Sequence, residues 1–243
     1  MIVRDLGDAW QIVLQTDHAD LSGELARAWA DKGPHHEGLE VAAERHDDGW
    51  AVWEQAPMIN AGTHAPTNFL DVHVPAHLAF YRAGIAAITE EDPYAGLLVS
   101  MHGAGIYKQR YGTDPSLGLS RATEVADLIQ AFVDEQEASH AGRAEAAGVD
   151  EDRRWADYRL LQLYDRLSLY FCMRDGESAE LMDWRIEPTA PWQIRLDPFP
   201  FAERPLRCSL VRHVLPKREW SLDEFRAALA DTPPERTEIT IDA

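Results

Sequence analysis

Across residues 39–53, Leu39, Ala42, Ala43, Trp50 and Trp53 recur at the spacing of one helix face, and His46 falls on that face with them. A helix patterned this way must bury its apolar side, so the His46 imidazole should point into the protein. Asp47 stands one step, about 100°, around the same helix. An imidazole and a carboxylate side by side at a core edge can hold a metal ion together. One His-Asp dipeptide in a chain with ten histidines carries little weight alone. Its meaning depends on whether other apolar faces carry the same kind of exception.

They do. A helix of about four turns, capped by Thr16 or Asp17 and ending at Gly33-Pro34, places His18 with Leu21, Leu25 and Trp29. Pro75 opens a helix over residues 74–88, where His77 aligns with Val74, Phe80, Tyr81, Gly84, Ile85 and Ile88. His73, a turn earlier, lies close to that face and competes with His77 for any role. The apolar run at residues 97–105 contains His102. Periodicity leaves strand and buried helix both open there, and the helical surroundings favour helix. A further helix is expected over residues 119–137, then an Ala- and Gly-rich mobile connection over 139–149. The long helix over 151–173 carries Tyr158, Leu161, Asp165, Leu169 and Cys172 on one side, which makes Asp165 an inward carboxylate.

Burying one unpaired imidazole or carboxylate costs kilocalories, so several such groups imply that they satisfy one another. A metal centre would do this, since neutral imidazoles and ionised carboxylates become ligands and the ion offsets their desolvation. His18, His46, Asp47, His77, His102 and Asp165 supply enough ligands for two divalent ions (Fe, Mn or Mg), with Asp47 as the natural bridge and a catalytic residue. Lys108 and Arg110 follow His102 and are candidate catalytic cations for an anionic substrate, with Arg121 as a further one. His35, His36, His64, His140 and His213 are expected at the surface. The stretch from 55 to 71, rich in Pro, Asn, Gly and Thr, is long enough to cover a pocket.

At both ends the pattern changes from period 3.6 to alternation. Residues 2–4 and 10–14 read as a hairpin; residues 192–196, 206–211 and 238–241 are β-rich and interrupted by prolines; Ser221-Leu222-Asp223-Glu224 opens a short helix with a capping box. The expected architecture is therefore mainly α. It is a single domain over 1–243, with a helical body over 16–184. A small antiparallel sheet, built from residues 1–15 and 185–243, packs on that body.

A net charge of −19 repels backbone phosphates, which argues against nucleic acid as a partner. No apolar run reaches spanning length, and no basic segment precedes an apolar one at the start, so no membrane partner and a cytoplasmic location are expected. Two cysteines, Cys172 and Cys208, make neither a disulfide framework nor a thiolate zinc site, and they read as buried free thiols. A small-molecule substrate remains.

The stretches Thr16-Asp17-His18, Glu44-Arg45-His46-Asp47-Asp48-Gly49-Trp50, Asn68-Phe69-Leu70, Ser100-Met101-His102-Gly103, Leu163-Tyr164-Asp165 and Asp197-Pro198-Phe199-Pro200-Phe201 resemble an uncharacterised bacterial family, domain of unknown function 3891. More distantly, the order His, His-Asp, His, His, Asp on successive helices is similar to the HD-domain superfamily of metal-dependent phosphohydrolases and its oxygenase branch. That second resemblance implies an HD-domain-like helical bundle. It implies one metal held by His18, His46, Asp47 and Asp165, and a second held by His77, His102 and Asp47. The chain departs from many such hydrolases in having Asp48-Gly49-Trp50 where a lysine would follow the His-Asp pair. The expected activity is hydrolysis of a phosphoester or similar small molecule at a dinuclear His/Asp site. A di-iron oxygenase walled by Trp50, Trp53, Phe69 and Tyr107 is the alternative, as is a non-catalytic scaffold whose His and Asp residues pair with each other.

Overall fold

The hairpin that begins the chain, β1 (Ile2–Asp5) and β2 (Ala9–Val13), leads into α1 (Gln15–Ala28), α2 (His36–Arg45) and the single turn α3 (Ala51–Glu54). Then come α4 (Val74–Glu91), α5 (Pro93–Tyr107), α6 (Ala126–Ala147) and α7 (Glu151–Met173). Strands β3 (Ala179–Leu181), β4 (Trp184–Ala190), β5 (Gln193–Asp197) and β6 (Leu206–Pro216), helix α8 (Leu222–Asp231) and strand β7 (Glu235–Asp242) complete the chain. This computed structural model describes residues 1–112, 123–174 and 176–243. Arg121, the loop expected through Gly118 and the expected start of a helix at 119 lie outside them.

Helix α5 is central because it is apolar on every side, and such a helix has to be surrounded. Its start is fixed by Asp92, whose side chain accepts from the backbone N–H groups of Tyr94 and Ala95, with Pro93 in the first turn. Helices α2, α4, α6 and α7 pack around it, and α1 lies against α2 and α7. Helix α6 runs on through the stretch expected to be a mobile connection. It stops only at Gly148, whose φ of 65° ends the helix in the left-handed region that glycine tolerates. Helix α1 starts one residue before Thr16, so neither Thr16 nor Asp17 is its cap. It also ends well before Gly33-Pro34, because Trp29 turns to extended backbone, bridges Phe201 and stacks edge-on with Tyr164, Trp184 and Phe201.

The expectation of a mainly α, HD-domain-like bundle with a small antiparallel sheet does not hold. Helices take 55% of the residues, but a seven-stranded mixed sheet, curved as a half-barrel, takes 20%, which makes the fold α/β. The strand order is β1-β2-β6-β7-β5-β4-β3. Neighbours run antiparallel except β5 and β7, which are parallel. Two features enlarge the sheet beyond the expectation. Strands β3 and β4 begin inside the range assigned to the helical body. Strand β6 is long enough to pair with β2 at its end (Ile12 opposite His213) and with β7 along the rest (Leu206 opposite Ile241). Pro188 is absorbed at a register shift between β4 and β5. Ile194, Leu196, Leu206, Cys208, Leu210, Ile239 and Ile241 alternate inward and share one apolar cluster with the helices.

Candidate metal centre

The His-Asp pair lies at a break in the helix, not on its continuous face. Helix α2 ends at Arg45, His46 is its C-terminal cap, and Asp47 has left helical geometry at φ −111°, ψ 15°. A short 3₁₀ turn, Asp48–Trp50, follows. Gly49 lies in this turn: a Cβ there would collide with the backbone carbonyl of Phe80, so α4 can cross the turn only over a glycine. That crossing places the next residue of α4, Tyr81, against Asp47.

Four further elements converge on the pair. His18 comes from the first turn of α1, His102 from α5, and Asp165 from α7. Gln162 and Ser168 stand one turn to either side of Asp165 on the same face of α7. Arg110 arrives from the segment after α5, where Gln109, Arg110 and Tyr111 all take left-handed backbone angles (φ 52°, 49° and 54°). Such angles cost non-glycine residues of order 1 kcal/mol each. The contorted segment turns a guanidinium inward where a helix would have carried it past.

His18, His46, Asp47, His102 and Asp165 are each at most 4% exposed. The Nδ1 of His46 donates to the Ala43 carbonyl at 2.9 Å. The Nδ1 of His18 donates to Ser168 Oγ at 2.7 Å, whose own hydrogen goes to the Asp165 carbonyl at 2.8 Å. Both rings therefore turn Nε2 toward the cluster, and these atoms face each other at 3.2 Å. Asp47 Oδ2 lies 3.0 Å from His18 Nε2 and 3.6 Å from His46 Nε2. Asp165 Oδ1 lies 4.0 Å and 3.6 Å from the same two nitrogens. The outer oxygen of each carboxylate is tied down, Asp47 Oδ1 by the Tyr81 hydroxyl at 2.8 Å and Asp165 Oδ2 by Arg110 Nη1 at 2.7 Å. The inner oxygens are thereby aimed at the imidazoles.

Charge completes the description. Among the described residues, the permanent cation bonded to this pair of buried carboxylates is Arg110, on Asp165. Burial opposes charge on the His46 ring, but the carboxylates of Asp47 and Asp165 outweigh it and push its pKa up to about 9. Burial likewise opposes ionisation of Asp47 and Asp165. It is overcome by His46 and His18 around Asp47, and by Arg110 and His46 around Asp165, so both stay below the usual carboxylate range. The space between the two Nε2 atoms thus requires a positive charge, either a proton or a metal cation. The donors fit the second: among the described residues His18, His46 and Asp165 offer ligand atoms within 4.8 Å of one another, as do His46, Asp47 and His102.

The remaining candidates lie elsewhere. His77 belongs to neither group. Its Nδ1 is 2.5 Å from the Tyr107 hydroxyl, its ring packs edge-on against Trp50 and Tyr81, and burial pulls its pKa down to about 4. His73 is exposed at the start of α4. Lys108 is exposed and paired with Glu137 at 2.6 Å, whereas Arg110 is buried against Asp165. His36 and His140, expected at the surface, are buried. The first bonds the Ala26 carbonyl and the second lies 3.0 Å from Ser100 Oγ. Sequence reasoning missed Tyr81, Gln162 and Ser168; the one available signal was the spacing of Gln162 and Ser168 around Asp165.

The family model described as Protein of unknown function (DUF3891) matches residues 1–217. The chain belongs to that family. The matched stretch contains every residue of the cluster and the sheet through β6, leaving α8 and β7 outside it. No curated protein and no solved structure matches the chain. The more distant resemblance to HD-domain proteins gains no support from these comparisons.

Proposed function

We propose that His18, His46, Asp47 and Asp165 hold a divalent cation, and that the protein is a metal-dependent hydrolase of a phosphoester or similar small molecule. The observation that carries this reading is the pair of Nε2 atoms facing each other at 3.2 Å between two buried carboxylates. Two imidazoles with two carboxylates suit Fe or Mn better than Mg, which favours an all-oxygen shell. Bound there, such a cation supplies a water activated near neutral pH and a charge that steadies an anionic transition state.

The protein's own groups divide the remaining work. Tyr81 and Arg110 orient the carboxylates, and Ser168 and the Ala43 carbonyl orient the imidazoles. Arg110 is buried, and its Nη1 bonds Asp165 and Gln162, so its part is to anchor the site. A cavity of about 430 Å³, lined by Tyr107, Lys108, Ile129 and Val133 among others, gives room for a small molecule. Tyr107 links its wall to His77, which packs on Tyr81 beside Asp47. A second ion, as a di-iron oxygenase needs, would require His77 and His102 to leave their present partners. The burial of the whole cluster favours a second reading, a cation that only stabilises the fold.

Elemental analysis of protein purified without chelator, together with a panel of phosphomonoesters, diesters and nucleotides, tests the proposal. Bound metal that disappears in folded His46→Ala and Asp165→Ala, with turnover that disappears alongside it, is the expected result. Metal without turnover on any phosphoester leaves the stabilising centre, and metal-free wild-type protein removes both.

A further inference from the structure

His102 belongs to one of the two groups with ligand spacing, yet its hydrogen bonds give it a different part. Arg110 Nη1 donates to Gln162 Oε1 as well as to Asp165. A guanidinium has no acceptor, so the oxygen of the Gln162 amide must face Arg110 and its NH₂ must face away. That NH₂ lies 3.2 Å from His102 Nδ1. An amide NH₂ only donates, so Nδ1 must carry a lone pair, and a neutral His102 then holds its hydrogen on Nε2. Nε2 is 3.3 Å from the Tyr81 hydroxyl oxygen, and the Tyr81 hydroxyl donates onward to Asp47 Oδ1 at 2.8 Å. Every donor in this buried series points the same way.

We infer that Arg110, Gln162, His102, Tyr81 and Asp47 form a one-way chain of hydrogen bonds in which His102 presents Nε2–H and is a positioning residue, not a metal ligand. The direction is set by its two ends, a cation that can only donate and a carboxylate that can only accept. His102 thus differs from His18 and His46, whose Nδ1–H groups are bonded outward and whose Nε2 atoms face inward, where a proton or a cation sits between them. The chain fixes Asp47 from behind and couples it to the same guanidinium that fixes Asp165, so one arginine sets the orientation of both carboxylates. The hydrogen-bond direction is independent of any cation; the statement that His102 does not ligate rests on the metal reading above.

The test is ¹⁵N NMR of the full chain labelled at histidine, with the His102 ring identified by its absence from the spectrum of His102→Asn. In chelator near neutral pH, His102 should be neutral with its hydrogen on Nε2, and Gln162→Glu, which replaces the NH₂ by an acceptor, should move that hydrogen to Nδ1. A hydrogen on Nδ1 of His102 in the wild type, a charged ring, or no change in a folded Gln162→Glu would overturn the chain. On adding Zn²⁺, His18 and His46 should take metal-bound nitrogen shifts while His102 keeps Nε2–H; loss of that proton to the metal would overturn its non-ligand role. Should no ring respond to Zn²⁺, the metal reading fails while the tautomer result stands. Tyr81→Phe, which removes only the hydroxyl, should weaken Zn²⁺ binding about 10- to 100-fold; unchanged affinity would show that Asp47 does not depend on the chain.

Discussion

Two buried polar clusters in this molecule each contain a histidine, and they solve the same problem differently. Between α5 and α6, His140 Nε2–H points to Ser100 Oγ at 3.0 Å, and Ser100 passes its own hydrogen to Gln136 Oε1 at 2.9 Å. Each donor meets an acceptor, no carboxylate is enclosed, and the cluster is complete as a neutral chain. Around His46, among the described residues, two carboxylates and two inward-facing imidazole nitrogens are matched by one arginine, bonded to Asp165, and the charge is balanced only with a further proton or cation. Burial of polar groups is common to both clusters. What sets the second apart as a candidate site is its shortage of positive charge.

The largest expected effect breaks that balance outright. Arg110→Met keeps much of the volume but leaves Asp165 buried without its permanent partner. Losing one member of a buried pair costs about 3–5 kcal/mol, so urea unfolding should show a loss of that order. A loss below about 1 kcal/mol, the scale of an exposed ion pair, would mean that Asp165 does not depend on Arg110, and the contrast between the clusters would collapse.

How much of this contrast was legible in the sequence follows from what each residue type advertises. Asp165 was legible because a carboxylate on the apolar face of a long helix must have a partner, and helix α7 has the bounds its periodicity implies. His18, His46 and His102 stood out for the same reason. Tyr81 did not, because a tyrosine on an apolar face reads as ordinary core, and its hydroxyl matters only once Gly49 has let α4 approach. His77 shares that face yet faces Tyr107, a difference that periodicity does not encode because it gives direction and not distance. Arg110 depends on three consecutive left-handed residues, which no helical or strand pattern announces. The sheet was underestimated because its parallel β5–β7 pairing joins distant segments, and strand partners that far apart leave no local mark.

His46 and His140 should also respond to pH with opposite sign. The folded pKa of His46 lies near 9, above the ordinary histidine value of 6.5, so its contribution is fully present below 6.5 and is lost as pH rises through 9. Burial, with Arg154 and Arg143 nearby, lowers His140 to about 4, against the pull of Glu137. The unfolded chain then binds the extra proton, and stability is lost as pH falls from 6.5 toward 4. Urea midpoints measured in chelator should therefore decline on both sides of the neutral range. Zn²⁺ should remove the alkaline decline, because the cation replaces the His46 proton, and should leave the contribution of His140 on the acid side unchanged. His140→Gln should reduce the acid decline, to which His77 also contributes, and leave the alkaline side unchanged. A Zn²⁺-independent alkaline limb would separate the His46 proton from the proposed metal position.

The smallest effect is expected where the neutral chain is cut. Ser100→Ala removes the hydroxyl that receives the His140 hydrogen and satisfies Gln136 Oε1, leaving both groups buried and short of a partner. An unsatisfied neutral group costs about 1–3 kcal/mol, less where a neighbour can turn to replace the partner. Here the Gln136 amide can rotate to offer its NH₂ or its oxygen, so a loss of about 1 kcal/mol by urea unfolding is expected, with bound metal unchanged. A loss as large as that of Arg110→Met would show that closing a neutral chain matters as much as balancing a charged one. The small value instead follows from the two chemistries: a neutral chain can rearrange around a missing hydroxyl, whereas a buried carboxylate has no rotamer that disposes of its charge.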